Sequence, residues 1–219
     1  MSLSGLLQRL LLYSMFFSAV SAWASGSVVI ADFSTGVDES GVPLGWELKE
    51  RSGKADLSVI KDSDIHAVHL RSAVTSFSIE KQVNVDICEY PLLTWKWKVT
   101  KLPKGADFRT SWKDDQAAQL FLAFPERKII VYIWDTLAPQ GLMQDAPSLP
   151  FMSIKAIVVR SGPSDTGKWI TETRNACEDY KELFDEEPPP VGGTRIQINS
   201  QHTGTSAESY FADVVFRKE

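Results

Sequence analysis

The most conspicuous chemistry in this chain is a pair of adjacent carboxylates, Asp114 and Asp115, in the stretch "SWKDDQAAQ" (111–119). Two neighbouring acids can act as acid and base, or can hold a cation. On a strand, however, neighbours point to opposite faces, so only one of them can enter a given site. The competing role is structural, with Asp satisfying backbone N–H groups where a loop meets a strand. The other reactive side chains are sparser. His66 and His69 in "HAVH" sit three residues apart; on an extended segment they face opposite ways and define no zinc site without further ligands. The loop "GPSDTGK" (162–168) lacks the spacing of a phosphate-cradling motif, and no nucleophile-elbow sequence appears.

A second feature is "LLTWKWKVTK" (92–101), where Trp95 and Trp97 alternate with Lys96 and Lys98. With a period of two, Leu93, Trp95, Trp97 and Val99 share one face, and Thr94, Lys96 and Lys98 share the other. The apolar companions of the tryptophans make theirs the core face, rather than an exposed aromatic platform. The lysine face then gains interest. Other segments also carry polar groups on one face: Gln119, Glu172 with Arg174, and Arg195 with Gln197. The segment 128–134 adds Tyr132 and Trp134 on one of its two apolar faces. If these segments are neighbours in one sheet, Lys96, Lys98, Asp115, Trp134, Arg174 and Arg195 form a single surface. Its aromatic faces and donors would suit a sugar ring or an anionic polymer. Otherwise they are the wet side of a half-exposed sheet.

The elements that would position these residues read as strand after strand. Apolar or alternating runs occur at 27–33, 55–61, 65–72, 76–85, 91–99, 117–124, 128–134, 151–160, 168–176, 194–200 and 208–216. "DSD" (62–64) and "PER" (125–127) read as hairpin turns. One stretch departs from this pattern. "ACEDYKELFDEEP" (176–188) has Cys177, Tyr180, Leu183 and Phe184 at helical spacing before "PPP" (188–190), which predicts a short helix over 176–184. The proline-rich segment 136–150 reads as a long loop of the binding or lid kind. Many short strands with long non-helical connections predict an all-β antiparallel sandwich of jelly-roll type.

The chain has 219 residues and a formal net charge of −5. A mildly acidic chain without a basic run is a poor general binder of nucleic acid. Arg9, the apolar run 10–20 and "AWA" (22–24) read as a signal peptide over 1–24. The expected product is one sandwich domain over 25–219 in the periplasm or secreted, with no later transmembrane segment. Cys88 and Cys177 are the two cysteines; in an exported chain they form either one disulfide or two buried thiols.

Taken in order, "LTWKWKV", "DDQAAQLFLAF", "VYIWD", "SG" (161–162), "RNACEDYKELF", "PPP" and "YFADVVF" resemble the family of bacterial exported proteins known as domain of unknown function 3047. The resemblance spans nearly all of the chain after residue 24. It implies a galactose-binding-like jelly roll but no transferable activity. It also implies Asp32 and Asp213 in the first and last strands as candidates for a structural calcium. Near the C-terminus it leads one to expect an Asp-x-Asp-Asn-Thr-like stretch. Here the chain reads "NSQHTG" (199–204), with amides at Asn199 and Gln201 that keep hydrogen bonding but lose the charge.

Three functions follow as expectations. The first is a non-catalytic binding domain for a carbohydrate or cell-envelope polymer. The second is a glycan-acting hydrolase or lyase using Asp114 or Asp115. The third is a structural envelope protein that meets a protein partner through 136–150, around Leu142 and Met143.

Overall fold

The computed structural model describes residues 26–147 and 150–218. The expected signal peptide therefore lies outside the described residues. Two β-sheets pack face to face. The strands are β1 (Ser27–Ala31), β2 (Glu47–Ser52), β3 (Asp56–Asp62), β4 (Ile65–Ala73), β5 (Ser76–Val85), β6 (Leu92–Lys101) and β7 (Ala118–Ala123). They continue with β8 (Lys128–Asp135), β9 (Met143–Asp145), β10 (Ser153–Ser161), β11 (Ile170–Asn175), β12 (Val191–Asn199) and β13 (Ser206–Arg217). The first sheet has the order β11-β6-β13-β4-β3, with β1 also pairing β13; the second runs β2-β5-β12-β7-β8-β10-β9. The helix α1 (Ala176–Phe184) falls where its spacing predicts. The Asn175 side chain caps it by accepting from Glu178 N at 3.1 Å, and Asp185 ends it in a left-handed conformation.

The mostly antiparallel jelly-roll sandwich expected from the sequence is present, with two departures. β10 pairs β8 in parallel, with Ser153 opposite Lys128 and Ile157 opposite Tyr132, so the chain must cross over between them through 136–152. That crossover is not an open loop. It contains β9, which pairs β10 with Met143 opposite Ile157. Leu142 and Met143 are partly buried and pack onto the apolar clusters, so these two side chains do not stand out as an exposed apolar patch for a protein partner.

The core is built from the faces that alternation assigns to it. Trp95 and Trp97 are fully buried, with ring centroids 5.4 Å apart in an edge-to-face arrangement. Tyr132 packs on Trp95 at 5.2 Å, and Trp134 and Phe211 pack on Trp97 at 5.8 Å and 5.9 Å. The second sheet is also covered on its outer face. There Phe121, Val131, Ile133, Ala156 and Val158 form a smaller apolar cluster under Phe108, Ala138 and Leu142. This explains why 128–134 is apolar on both sides. Cys88 and Cys177 form a disulfide, with Cα atoms 5.2 Å apart, that ties the β5–β6 connection to α1.

Candidate functional site

The two sheets separate the residues that the sequence places together. Lys96, Lys98 and Arg174 belong to the six-stranded sheet; Gln119, Trp134, Arg195 and Gln197 belong to the seven-stranded one. Trp134 points inward, is 1% exposed, and donates its indole N–H to Gly162 O at 3.0 Å. Arg174 is engaged by Asp179, donating from Nε at 3.0 Å, while Tyr132 Oη donates to the same carboxylate at 2.9 Å. Lys98 sits over the rings of Tyr210 and Trp169, at 4.4 Å and 5.0 Å from their centroids, and is paired with Asp62. Each of these three groups is thus engaged within the fold, by a backbone carbonyl, a carboxylate or an aromatic ring.

Asp114 and Asp115 lie on the irregular segment between the 3-10 turn Ser111–Lys113 and β7, not on a strand, and a tight turn in which Asp115 N donates to Lys113 O at 2.8 Å sends them to different surroundings. Asp115 is fully buried and accepts the backbone N–H of His202 at 3.3 Å and of Thr203 at 2.6 Å. It fixes the β12–β13 turn and has no route to a ligand. Asp114 lines a cavity instead.

That cavity, about 140 Å³, lies on the outer face of the seven-stranded sheet. Register builds it. One row runs Glu80, Arg195, Phe121, Val131 and Ala156 across β5, β12, β7, β8 and β10. The next row runs Ser78, Gln197, Gln119, Ile133 and Val158 across the same strands. Each row thus passes from polar to apolar, giving the site a hydrogen-bonding half and a greasy half. The segment before β7 closes one side with Phe108, Asp114 and Gln116, and Ala146 and Pro147 close another.

The polar half is a directed chain of side-chain amides. Arg195 Nη1 is 3.5 Å from Gln197 Oε1. Gln197 Nε2 then donates to Gln119 Oε1 at 3.4 Å, Gln119 Nε2 to Asn199 Oδ1 at 2.7 Å, and Asn199 Nδ2 to the Asp114 carbonyl at 2.8 Å. Because Arg can only donate and a carbonyl can only accept, both ends dictate the same orientation for all three amides. Each amide nitrogen carries a second hydrogen beyond the one spent in this chain. Asn199 is the hub, since its Oδ1 also accepts Gln116 N at 2.8 Å. A carboxylate at this position could not donate to Asp114 O as the Asn199 amide does.

The charges are largely balanced within the site. Glu80 Oε1 lies 3.0 Å from Arg195 Nε and 3.4 Å from Arg51 Nη2. Burial and the neighbouring Arg51 push the Arg195 guanidinium below its ordinary value; it remains charged. Its plane covers Phe121, 4.7 Å from the ring centroid. Burial raises the Asp114 carboxyl to about 6, opposed by its hydrogen bond from Gln116 at 2.9 Å.

Asp32 and Asp213, the candidate calcium ligands, line a separate groove of about 420 Å³ on the six-stranded sheet. Asp213 is paired there with Lys96 at 2.8 Å, and Asp32 accepts the backbone and hydroxyl of Ser34 at 2.9 Å and 3.0 Å. An ammonium already meets one of the two carboxylates. No group of three or more His, Cys, Asp or Glu side chains able to hold a metal gathers among the described residues. Sequence reasoning gave Gln119, and Arg195 with Gln197, as polar faces of separate strands, grouped them with Lys96, Lys98 and Arg174 of the other sheet, and missed Asn199, Gln116 and Arg51 as lining residues. Asn199 follows the outward residues 195 and 197 by the same period of two, so its place on that face was available.

A mostly-β sandwich with an outer-face pocket defines the class, and sequence comparison gives the family. The chain belongs to the family described as Protein of unknown function (DUF3047), which matches residues 45–215. No curated protein matches it significantly by sequence. Among solved structures it is similar to the xyloglucanase domain of NopAA, a type three effector from Sinorhizobium fredii, in complex with cellobiose. There the TM-score is 0.50 and the identity 8%, covering 80% of this chain and 94% of that one. It is also similar to the family 11 carbohydrate-binding module of cellulase Lic26A-Cel5E of Clostridium thermocellum, with TM-score 0.44 and 8% identity over 87% and 94%. The family 11 xylanase from Neocallimastix patriciarum gives 0.44 and 10% over 87% and 99%. At these identities the likeness is one of fold. Among the described residues no helix is long and apolar enough to cross a membrane.

Proposed function

We propose that this protein is an exported, non-catalytic glycan-binding module, with its site on the outer face of the seven-stranded sheet. The observation that carries the reading is the oriented amide chain Gln197–Gln119–Asn199 beside an apolar floor in one small cavity. A sugar presents hydroxyls on its rim and C–H groups on its faces, which matches a few fixed polar groups set against apolar surface. Two carboxyls, Glu80 and Asp114, stand against the two guanidiniums of Arg51 and Arg195, which favours a neutral sugar over a polyanion. The fold shared with a domain solved with cellobiose supports this assignment, and the disulfide supports an oxidising compartment.

The hydrolase reading draws on Asp114, whose raised carboxyl suits a general acid. Glycoside hydrolysis ordinarily uses two flanking carboxylates. Asp114 is the single acidic side chain among those lining the cavity, which favours binding over catalysis. The test is NMR titration and calorimetry of the purified protein against gluco-, xylo-, manno- and galacto-oligosaccharides of one to four rings. Binding that Gln197→Ala removes, in a variant that stays folded at the temperature of the titration, is expected. Absence of binding to every member refutes the proposal, and turnover that Asp114→Asn abolishes would establish the enzyme instead.

A further inference from the structure

The aromatic rings lining the cavity are not available for stacking. Phe108 is 1% exposed and Phe121 is 6% exposed, with Arg195 lying over it. The cavity itself is smaller than ordinary small-molecule sites of about 300–1,000 Å³, so it has room for about one ring. One aromatic beside it behaves differently. Trp112 is 71% exposed, whereas Trp46, Trp95, Trp97 and Trp134 are buried. It sits in a single 3-10 turn, Ser111–Lys113, two residues before the cavity-lining Asp114. Its Cα is therefore within about 7 Å of that of Asp114.

The turn that carries Trp112 is firmly held. Lys113 N donates to Thr110 O at 2.8 Å, and Lys113 O accepts from Asp107 N at 2.9 Å and Asp115 N at 2.8 Å. Upstream, Phe108 N donates to the buried carboxylate of Asp135 at 3.0 Å. Downstream, Gln116 N is bound by Asn199, the hub of the amide chain. The backbone that sets the polar half of the cavity thus also sets the base of the indole. A large aromatic that is 71% exposed, carried on a turn two residues from a residue lining a one-ring pocket, offers a flat apolar surface at low cost in ordering.

We propose that Trp112 forms a second ring position: a neutral sugar chain places its terminal ring in the amide-lined cavity and stacks its next ring on the Trp112 indole. This rests on the glycan-binding reading and specifies its ligand as a chain end of two or more rings. Affinity then rises from one ring to two and changes little beyond, because the gain comes from one added stacking surface.

The experiment compares wild type, Trp112→Ala, Trp112→Phe and Gln197→Ala against one-, two- and four-ring members of the oligosaccharide series that binds, by NMR titration and calorimetry. Trp112→Ala is expected to bind the two- and four-ring ligands roughly tenfold more weakly, about 1.4 kcal/mol, with one-ring affinity unchanged. Trp112→Phe recovers part of the loss, and Gln197→Ala loses ligands of every length. In wild type, the four-ring ligand shields the exposed tryptophan from acrylamide quenching and the one-ring ligand does not. Equal affinity of Trp112→Ala and wild type for the four-ring ligand overturns the second ring position while leaving the cavity reading intact. Absence of binding of any oligosaccharide to wild type overturns both.

Discussion

Gln119 on β7 donates its side-chain N–H to Asn199 Oδ1 on β12 at 2.7 Å. This bond links the strand face of the cavity to the segment that closes it, because the same Oδ1 accepts Gln116 N. Asn199 is 5% exposed, so its donors and acceptors have little recourse to water. Asn199→Asp keeps the shape and both acceptor contacts but removes the donor to the Asp114 carbonyl and buries a charge beside Asp114. We expect it to cost on the order of 2–3 kcal/mol in urea denaturation and to move the Asp114 titration upward, measured by carboxyl 13C NMR. A variant as stable as wild type would mean that the amide chain does not order this face.

Asp114 makes stability depend on pH in an unusual direction. In the unfolded chain its carboxyl ionises near pH 4. In the fold, burial holds the proton until about 6. Between these values the folded state binds more protons, so this residue's contribution to stability falls as pH rises from about 4 to about 6, and levels off above that. Asp135 shifts the same way for the same reason, with backbone N–H groups of Ala138, Leu137 and Phe108 opposing. The difference between Asp114→Asn and wild type isolates Asp114. It should grow in favour of the variant across pH 4–6, by on the order of 1–3 kcal/mol, in melting curves taken at half-unit steps. A difference independent of pH would contradict a buried, protonated Asp114.

How much of this was legible depends on the range of the interaction. Alternation put Trp95 and Trp97 in the core and Lys96 and Lys98 outside, because side-chain direction on a strand is local. The helix 176–184 was legible because its apolar spacing and the prolines that follow it agree. The faces carrying Gln119, Arg195 and Gln197 were also legible. Strand order was not. Lys96 and Arg195 have similar alternation, yet one lies on each sheet, and that assignment depends on pairings between residues about a hundred positions apart. β2 was overlooked because "ELKERS" is an exposed edge strand with no apolar face of its own. β9 was overlooked because its three residues pair with β10 inside a proline-rich crossover. The split roles of Asp114 and Asp115 required the long-range contacts of Asp115 with His202 and Thr203.

The disulfide closes a span of 89 residues between the β5–β6 connection and α1. Cross-linking so distant a pair restricts the unfolded chain, and removing it should cost about 2–4 kcal/mol. Cys88→Ser with Cys177→Ser is expected to lower the unfolding free energy from urea denaturation by that amount, and dithiothreitol should reproduce the loss in wild type. The cavity lies on the opposite sheet from the β6–β11 edge where α1 begins. Oligosaccharide affinity should therefore survive in the double variant at low temperature. A lost affinity with retained fold would tie α1 to the binding face.

Lys98 separates the two sheets functionally. It lies between Tyr210 and Trp169 and is paired with Asp62 on the six-stranded sheet. Lys98→Ala removes both cation–π contacts, and a loss of about 1 kcal/mol follows, or about 2–4 °C in melting temperature for a chain of this size. The hydrogen bonds from Lys98 and Trp169 hold the Asp62 carboxyl below its ordinary value. The part of the effect that depends on that carboxylate is therefore present at neutral pH and fades as acid protonates it. Oligosaccharide affinity should not change, because the amide chain and Trp112 belong to the other face. Lys96→Ala, which releases Asp213, should likewise leave affinity intact. If either lysine variant loses binding while its melting curve stays close to that of wild type, the ligand sits on the six-stranded sheet, and the groove between Lys96 and Asp213 replaces the amide-lined cavity as the site.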